Sequence, residues 1–184
     1  MANGKSILTR RWIREDLPTI QRLLLETWLD AYAPFIPRED VAGYLHKQYS
    51  QAKLEALFAD AHVTGLVAQV DGAIAGYTKL YDARAEQRFY VHQLYILPSK
   101  QGLGLGHRLM ACAEQRAFEL GADRIWLGVM VKNTRAVAWY QKMGYTVMET
   151  APFVMGSTKV DHYIGYLPLP LLIPPSHQRG EKSR

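Results

Sequence analysis

Cysteine is almost absent from this 184-residue chain, Cys112 being the only one. A single thiol excludes an intramolecular disulfide and a cysteine-based zinc site, which fits a reducing compartment, and Cys112 is expected to pack within a helix. Long apolar runs are missing too. None approaches the roughly 18 residues of a membrane span, and Met1 to Lys5 lead into no signal-like apolar stretch, so a cytoplasmic protein with no membrane partner is expected. The net charge of +5 could suggest nucleic acid, but there is no basic stripe interleaved with aromatics. A net two of the five charges fall in residues 176–184, where Arg179, Lys182 and Arg184 stand against Glu181. The rest is spread thinly, so no nucleic-acid partner is expected. Linkers and repeats are also lacking. With 48% hydrophobic and 21% charged residues the composition is that of one ordinary domain. It is expected over residues 1–170, followed by a Pro- and charge-rich tail at 171–184 that is expected to be disordered.

What the chain does have is glycine in one telling place. Gln101-Gly102-Leu103-Gly104-Leu105-Gly106 follows the strand-like residues 89–97 and opens a segment with apolar positions at Leu105, Leu109, Ala113, Ala117 and Leu120. That spacing predicts a helix, which Gly121 ends. Strand, glycine loop and helix together make an anion site, because glycines let the backbone approach a ligand and the free amides at a helix start favour phosphate. A P-loop would require Lys and then Ser or Thr after the last glycine, whereas His107 and Arg108 follow Gly106. A dinucleotide fingerprint fits Gly102 and Gly104 but finds His107 in its third glycine place, and Asp123 precedes the next strand instead of ending it.

Around this centre the pattern predicts strands at residues 6–12, 63–70, 73–81, 89–97, 124–131, 145–152 and 159–167. Asp71-Gly72 marks a two-residue hairpin, and residues 155–158 a second one. The first helix is expected to start at Asp16-Leu17-Pro18, with Asp16 as its cap, and to bury Ile20, Leu23, Leu24, Thr27, Trp28 and Ala31. Further helices are expected at residues 38–47, at 51–59 after a Ser50 cap, and after Asn133. Hairpins combined with strand-to-helix crossovers predict an α/β fold with a mixed, mainly antiparallel sheet flanked by helices.

Gln101, Gly104 and Gly106 meet the pattern Q/R-x-x-G-x-G/A of the GNAT superfamily of acyl-CoA-dependent N-acyltransferases, which this chain resembles over residues 7–167. Residues 124–145 carry the similar succession of strand, Asn133, helix, Tyr140 and Gly144-Tyr145. The segment Pro152-Phe153-Val154-Met155-Gly156, with Asp161 beyond, is similar to the branch that acetylates spermidine and spermine. The resemblance implies that the central parallel strands, residues 89–97 and 124–131, splay apart. It also implies acetyl-CoA as cofactor: its pantetheine arm against Tyr95 and Ile96, and its pyrophosphate on Gly102, Leu103, Gly104, Leu105, Gly106 and His107. Gln101 would brace the loop, while Asn133, Tyr140 and Lys142 are further candidate contacts. No metal is expected.

Amine acetylation requires one acid and one base, since an amine of pKa about 10 is protonated at neutral pH and a thiolate of pKa about 8.5 leaves more readily with a proton. Tyr140 resembles the family's acid. Many relatives place Glu in the strand before the glycine loop; here Tyr90 and His92 take both acidic places, so His92 is the candidate base, acting directly or through water. Strand alternation puts Tyr90 and His92 on one face unless a bulge intervenes. Trp28, Tyr32 and Phe35, with Tyr90, Phe153 and Met155 opposite, are expected to line the acceptor pocket. A polyamine also asks for carboxylates, and Glu26, Asp30, Glu39, Asp40, Asp82 and Glu86 are available without forming an evident cluster. Three readings follow: a small-amine N-acetyltransferase, polyamines leading; a protein or peptide N-acetyltransferase; and a non-catalytic acyl-CoA-binding module. Self-association as a homodimer is left open.

Overall fold

In a computed structural model, residues 5–169 are described. The tail expected at 171–184 lies outside them. Seven strands run β1 Ile7–Arg11, β2 Val63–Val70, β3 Ala73–Ala83, β4 Arg88–Ile96, β5 Arg124–Met130, β6 Thr146–Met155 and β7 Thr158–Pro168, with helices α1 Leu17–Tyr32, α2 Arg38–Gln48, α3 Gln51–Ala59, α4 Leu105–Glu119 and α5 Thr134–Lys142. They form one sheet in the order β1-β2-β3-β4-β5-β7-β6. All neighbouring pairs are antiparallel except β4 and β5. The mixed, mainly antiparallel sheet flanked by helices is thus the expected architecture.

Each face of the sheet buries its own core. On one side Leu105, Leu109, Ala113 and Ala117 of α4 repeat at helical spacing and pack on Val91, Ile125 and Leu127. On the other, Leu17, Ile20, Leu24 and Trp28 of α1 pack with Val41, Leu54, Val67 and Tyr77. The hairpin between β2 and β3 turns through Asp71 and Gly72, both with positive φ (50° and 83°), as the Asp-Gly pair predicts. Ser50 caps α3 by accepting from the Lys53 amide at 3.4 Å.

Asp16 departs from expectation. Its carboxylate does not cap α1. It turns back to accept from the Ile13 amide at 2.9 Å and from both Arg10 guanidinium nitrogens at 2.6 and 2.9 Å, so a charged partner on β1 outcompetes the helix amides. The last hairpin also runs longer than expected, because β6 continues through Pro152 and Phe153 to Met155 before turning at Gly156.

Two features of β4 position the site. Its parallel pairing with β5 is confined to Tyr90 opposite Trp126, so the strands part towards their C-terminal ends and leave the far half of β4 without a partner on that side. The register against β3 also slips: Lys79 faces Gln93 while Leu80 faces Val91, which leaves His92 as the extra residue of a bulge. The bulge breaks the simple alternation of Tyr90 and His92. Beyond it Tyr95 packs with the α1 core, while Leu94 and Ile96 pack with the α4 core.

Candidate active site

A cavity of about 490 Å³ fills the space where β4 and β5 part. Of the residues proposed from sequence for cofactor binding, Tyr95, Ile96 and Gln101 line it, as do Gly102, Gly104, Leu105, Gly106 and His107 from the loop and first helical turn. Asn133, which precedes α5, and Tyr140 within it also line the cavity. Leu103 packs instead against the α4 core, and Lys142 is exposed away from the cavity. An apolar residue between glycines turns inward, whereas Lys142 near the end of α5 has only water to face.

The loop geometry suits an anion. Gly102 and Gly104 have φ of 79° and 75°, the left-handed region that favours glycine. Gly104 caps α4, and the first helical backbone bond from the loop is Arg108 N–H to Gly104 O at 3.1 Å. Among the described residues the amides of Gly102 to His107 find no backbone acceptor, which leaves a cluster of donors at the positive end of a 15-residue helix. Gln101 braces this turn by donating from Nε2 to Ile96 O at 3.4 Å. Gly106 faces α5, where a Cβ would stand in ordinary contact, 3.4 Å from the Trp139 ring.

At the inner end three tyrosines converge. The Tyr32 and Tyr95 hydroxyls lie 3.0 Å apart. Burial, with Tyr32 and Tyr145 nearby, holds the Tyr140 hydroxyl well above the ordinary phenol range, so it keeps its proton at neutral pH. Asn133 caps α5 by accepting from the Ala136 amide at 3.2 Å while still lining the cavity, so its two expected roles coexist.

The aromatic residues expected to line an acceptor pocket, Tyr90 apart, gather around Trp28, outside the lining of the 490 Å³ cavity. The Trp28 ring stacks on Tyr44 at 5.6 Å and 17°, and meets Tyr32, Tyr49 and Tyr95 at 5.2, 6.0 and 5.7 Å. Phe35 meets Tyr32 at 6.0 Å, and Phe153 meets Tyr44 at 5.5 Å. Met155, expected to line the pocket, is fully buried and belongs to the core beneath it. Tyr90 donates to Glu86 Oε2 at 3.0 Å. His92 is exposed, yet its ring stacks on Tyr81 at 5.3 Å and 19° and leans on Tyr90 at 5.1 Å. This packing, reinforced by the nearby Lys79 ammonium, pushes its pKa down to about 4.

Sequence reasoning missed Lys100, Arg135 and Trp139, which line the cavity together with Asp30, expected only as an available carboxylate. Only Lys100 carried a local signal, being next to Gln101. Among the described residues no group of three or more His, Cys, Asp or Glu is placed to hold a metal, and no helix is long and apolar enough to cross a membrane.

The sheet is thus split at one parallel seam, and the free amides at the start of α4 and Tyr140 line the same cavity. Residues 20–145 match the model of the acetyltransferase (GNAT) family, and the chain belongs to that family, whose members are acetyl-CoA-dependent acyltransferases. It is 31% identical over 150 residues to an uncharacterised N-acetyltransferase of Mycobacterium tuberculosis, covering 81% of this chain and 95% of that one. Among solved structures it is similar to the PaiA N-acetyltransferase of Thermoplasma acidophilum in complex with coenzyme A (TM-score 0.78, 24% identity, 89% of this chain and 99% of the other). It is also similar to a chimera of Vibrio cholerae spermidine N-acetyltransferase SpeG with hSSAT (TM-score 0.65, 21% identity, 89% and 95%).

Proposed function

We propose that the protein moves an acetyl group from acetyl-CoA directly to a small primary amine. The observation that carries this reading is that Tyr140 lines the same cavity as the glycine loop, whose amides from Gly102 to His107 are unpaired, so a proton-bearing residue and an anion cradle border one space. Bound acetyl-CoA would supply the activated acetyl thioester. The amides of Gly102 to His107 suit its pyrophosphate, and the open edge of β4 at Tyr95 and Ile96 suits the amide groups of its arm. Tyr140 holds a proton at Oη and can give it up as the leaving sulfur gains charge. His92, neutral at pH 7, can accept the amine's proton directly or through water, although so low a pKa makes it a weak base.

A small acceptor is favoured over a peptide because the acceptor side is tied shut. Asp40 at the start of α2 accepts from Thr158 Oγ1 at 2.6 Å, Ser157 Oγ at 3.1 Å and the Ser157 amide at 3.2 Å, holding the last hairpin against the helix. Polyamines have in their favour the Phe153–Gly156 segment and the likeness in fold to the spermidine enzyme chimera. Against them, Asp30, Asp40, Asp82 and Glu86 are already engaged by Arg135, Thr158, Arg84 and Tyr90. Turnover of acetyl-CoA against a panel of polyamines, monoamines and peptide N-termini tests the reading. Acetylation of small amines with negligible peptide turnover is expected; tight acetyl-CoA binding with no turnover of any amine would leave a binding module instead.

A further inference from the structure

A second cavity, of about 320 Å³, opens between α2, α3 and β3. Small-molecule sites begin at about that size. Its lining includes Tyr44, Tyr49, Ala56 and Leu57, and one buried charge, Lys79 of β3, which is only 8% exposed.

Nothing around the Lys79 ammonium neutralises it. Among the described residues it makes no salt bridge, and the residues paired with it across the sheet, Gly65 on β2 and Gln93 on β4, carry no charge. Asp60 lines the same cavity, but its carboxylate accepts from the His62 amide at 2.8 Å and lies beyond ion-pair reach of Lys79. Lys53 adds positive charge to the lining, and the nearby His92 adds no negative charge. The Tyr49 ring, centred 5.2 Å from Nζ, offers partial compensation. Burial pushes the lysine pKa down to about 8, so the group still carries its charge at pH 7. A cation buried without a counter-ion is costly, and a residue needed only for packing would be apolar. A cavity lined by such a group has room for the missing anion.

We propose that this cavity is a binding site for a small organic carboxylate, paired with the Lys79 ammonium and drawn in by Lys53, with its apolar body among Tyr44, Ala56 and Leu57. A monoanion suits the site better than a phosphate, since one buried ammonium balances one charge and Asp60 in the lining repels a second. The cavity shares no lining residue with the 490 Å³ cavity, so its ligand is neither the coenzyme nor the acceptor. The inference therefore stands apart from the acetyltransferase reading.

Calorimetry of benzoate, benzamide and benzylamine on the free and the coenzyme A-saturated protein tests it. Benzoate is expected to bind both forms, at least tenfold more tightly than its neutral counterpart benzamide or the cationic benzylamine. Lys79→Met should weaken benzoate at least tenfold. Ala56→Trp, at an exposed position of the lining, should do the same by filling the space, which gives a second variant should the first fold poorly. Undiminished benzoate binding in either folded variant, equal binding of benzamide, displacement of benzoate by coenzyme A, or no binding at all would each overturn the site. If coenzyme A itself fails to bind, the free protein and its two variants decide the question alone.

Discussion

Arg135 Nη1 donates to Gln101 Oε1 at 2.7 Å, tying the start of α5 to the glycine loop across the mouth of the larger cavity. The same guanidinium reaches Asp30 Oδ2 at 3.2 Å. Both Arg135 and Asp30 are largely solvated, so the ion pair is worth at most about 1 kcal/mol and is readily exchanged for another anion. The mouth is thereby held in shape by contacts weak enough to yield to a phosphate.

Gly104→Val should weaken coenzyme A binding at least tenfold. A Cβ at Gly104 meets nothing within 4 Å, so the loss comes from the backbone, where φ of 75° costs a β-branched residue about 1–2 kcal/mol or moves the loop. Calorimetry reads the affinity, and circular dichroism should show the fold retained. Unchanged affinity would remove the loop from the site.

Tyr140→Phe should lower kcat about a hundredfold with little change in KM, since a proton given to the leaving sulfur matters only in the transition state. Pre-steady-state rates ensure that chemistry is what is measured. A variant with wild-type kcat would take Tyr140 out of the reaction.

His92 titrates near 4, so its charge does not change between pH 5.5 and 8. The ratio of wild-type to His92→Gln kcat/KM should stay constant across that range and fall only below about pH 5. A ratio with its midpoint near 6.5 would show an imidazole free of the influence of Lys79 and its neighbours.

Lys79→Met should raise stability at pH 7 by on the order of 2 kcal/mol, because burial lowers the lysine pKa from 10.5 to about 8. The folded protein then binds fewer protons than the unfolded chain between about pH 8 and 10.5, so the wild type gains stability as pH rises through that window. Below about 8 the full penalty applies. Urea denaturation at pH 7 and pH 10 should show the variant's advantage shrinking at the higher pH; a destabilised variant at pH 7 would mean the ammonium is compensated within the fold.

The sequence was most legible where local chemistry decides. Gly102 and Gly104 declare their positive φ, Asp71-Gly72 its turn, and the Leu105 to Ala117 spacing its buried face. Residues that act across the chain were silent. Arg135 meets Gln101 over 34 positions and Asp30 over 105, and no local pattern encodes either meeting. Lys79, flanked by Tyr77 and Tyr81 at strand spacing, could as well have been a solvated charge until helices α2 and α3 covered it. The bulge at His92 depends on register against β3, which alternation within one strand does not reveal. Met155 reads like any apolar residue near a pocket, and only the packed core shows that it lies beneath the wall.

Because β4 and β5 share a single rung at Tyr90 and Trp126, the sheet consists of two wings, each hydrogen-bonded along its own length and joined chiefly by the core that α4 packs across both. Slow amide hydrogen exchange is thus a property of each wing's interior, while the exchange of β4 amides on the seam side depends on what fills the gap. A ligand lying there would serve as a missing strand, and its arrival would protect β4 amides that the sheet itself leaves unpaired.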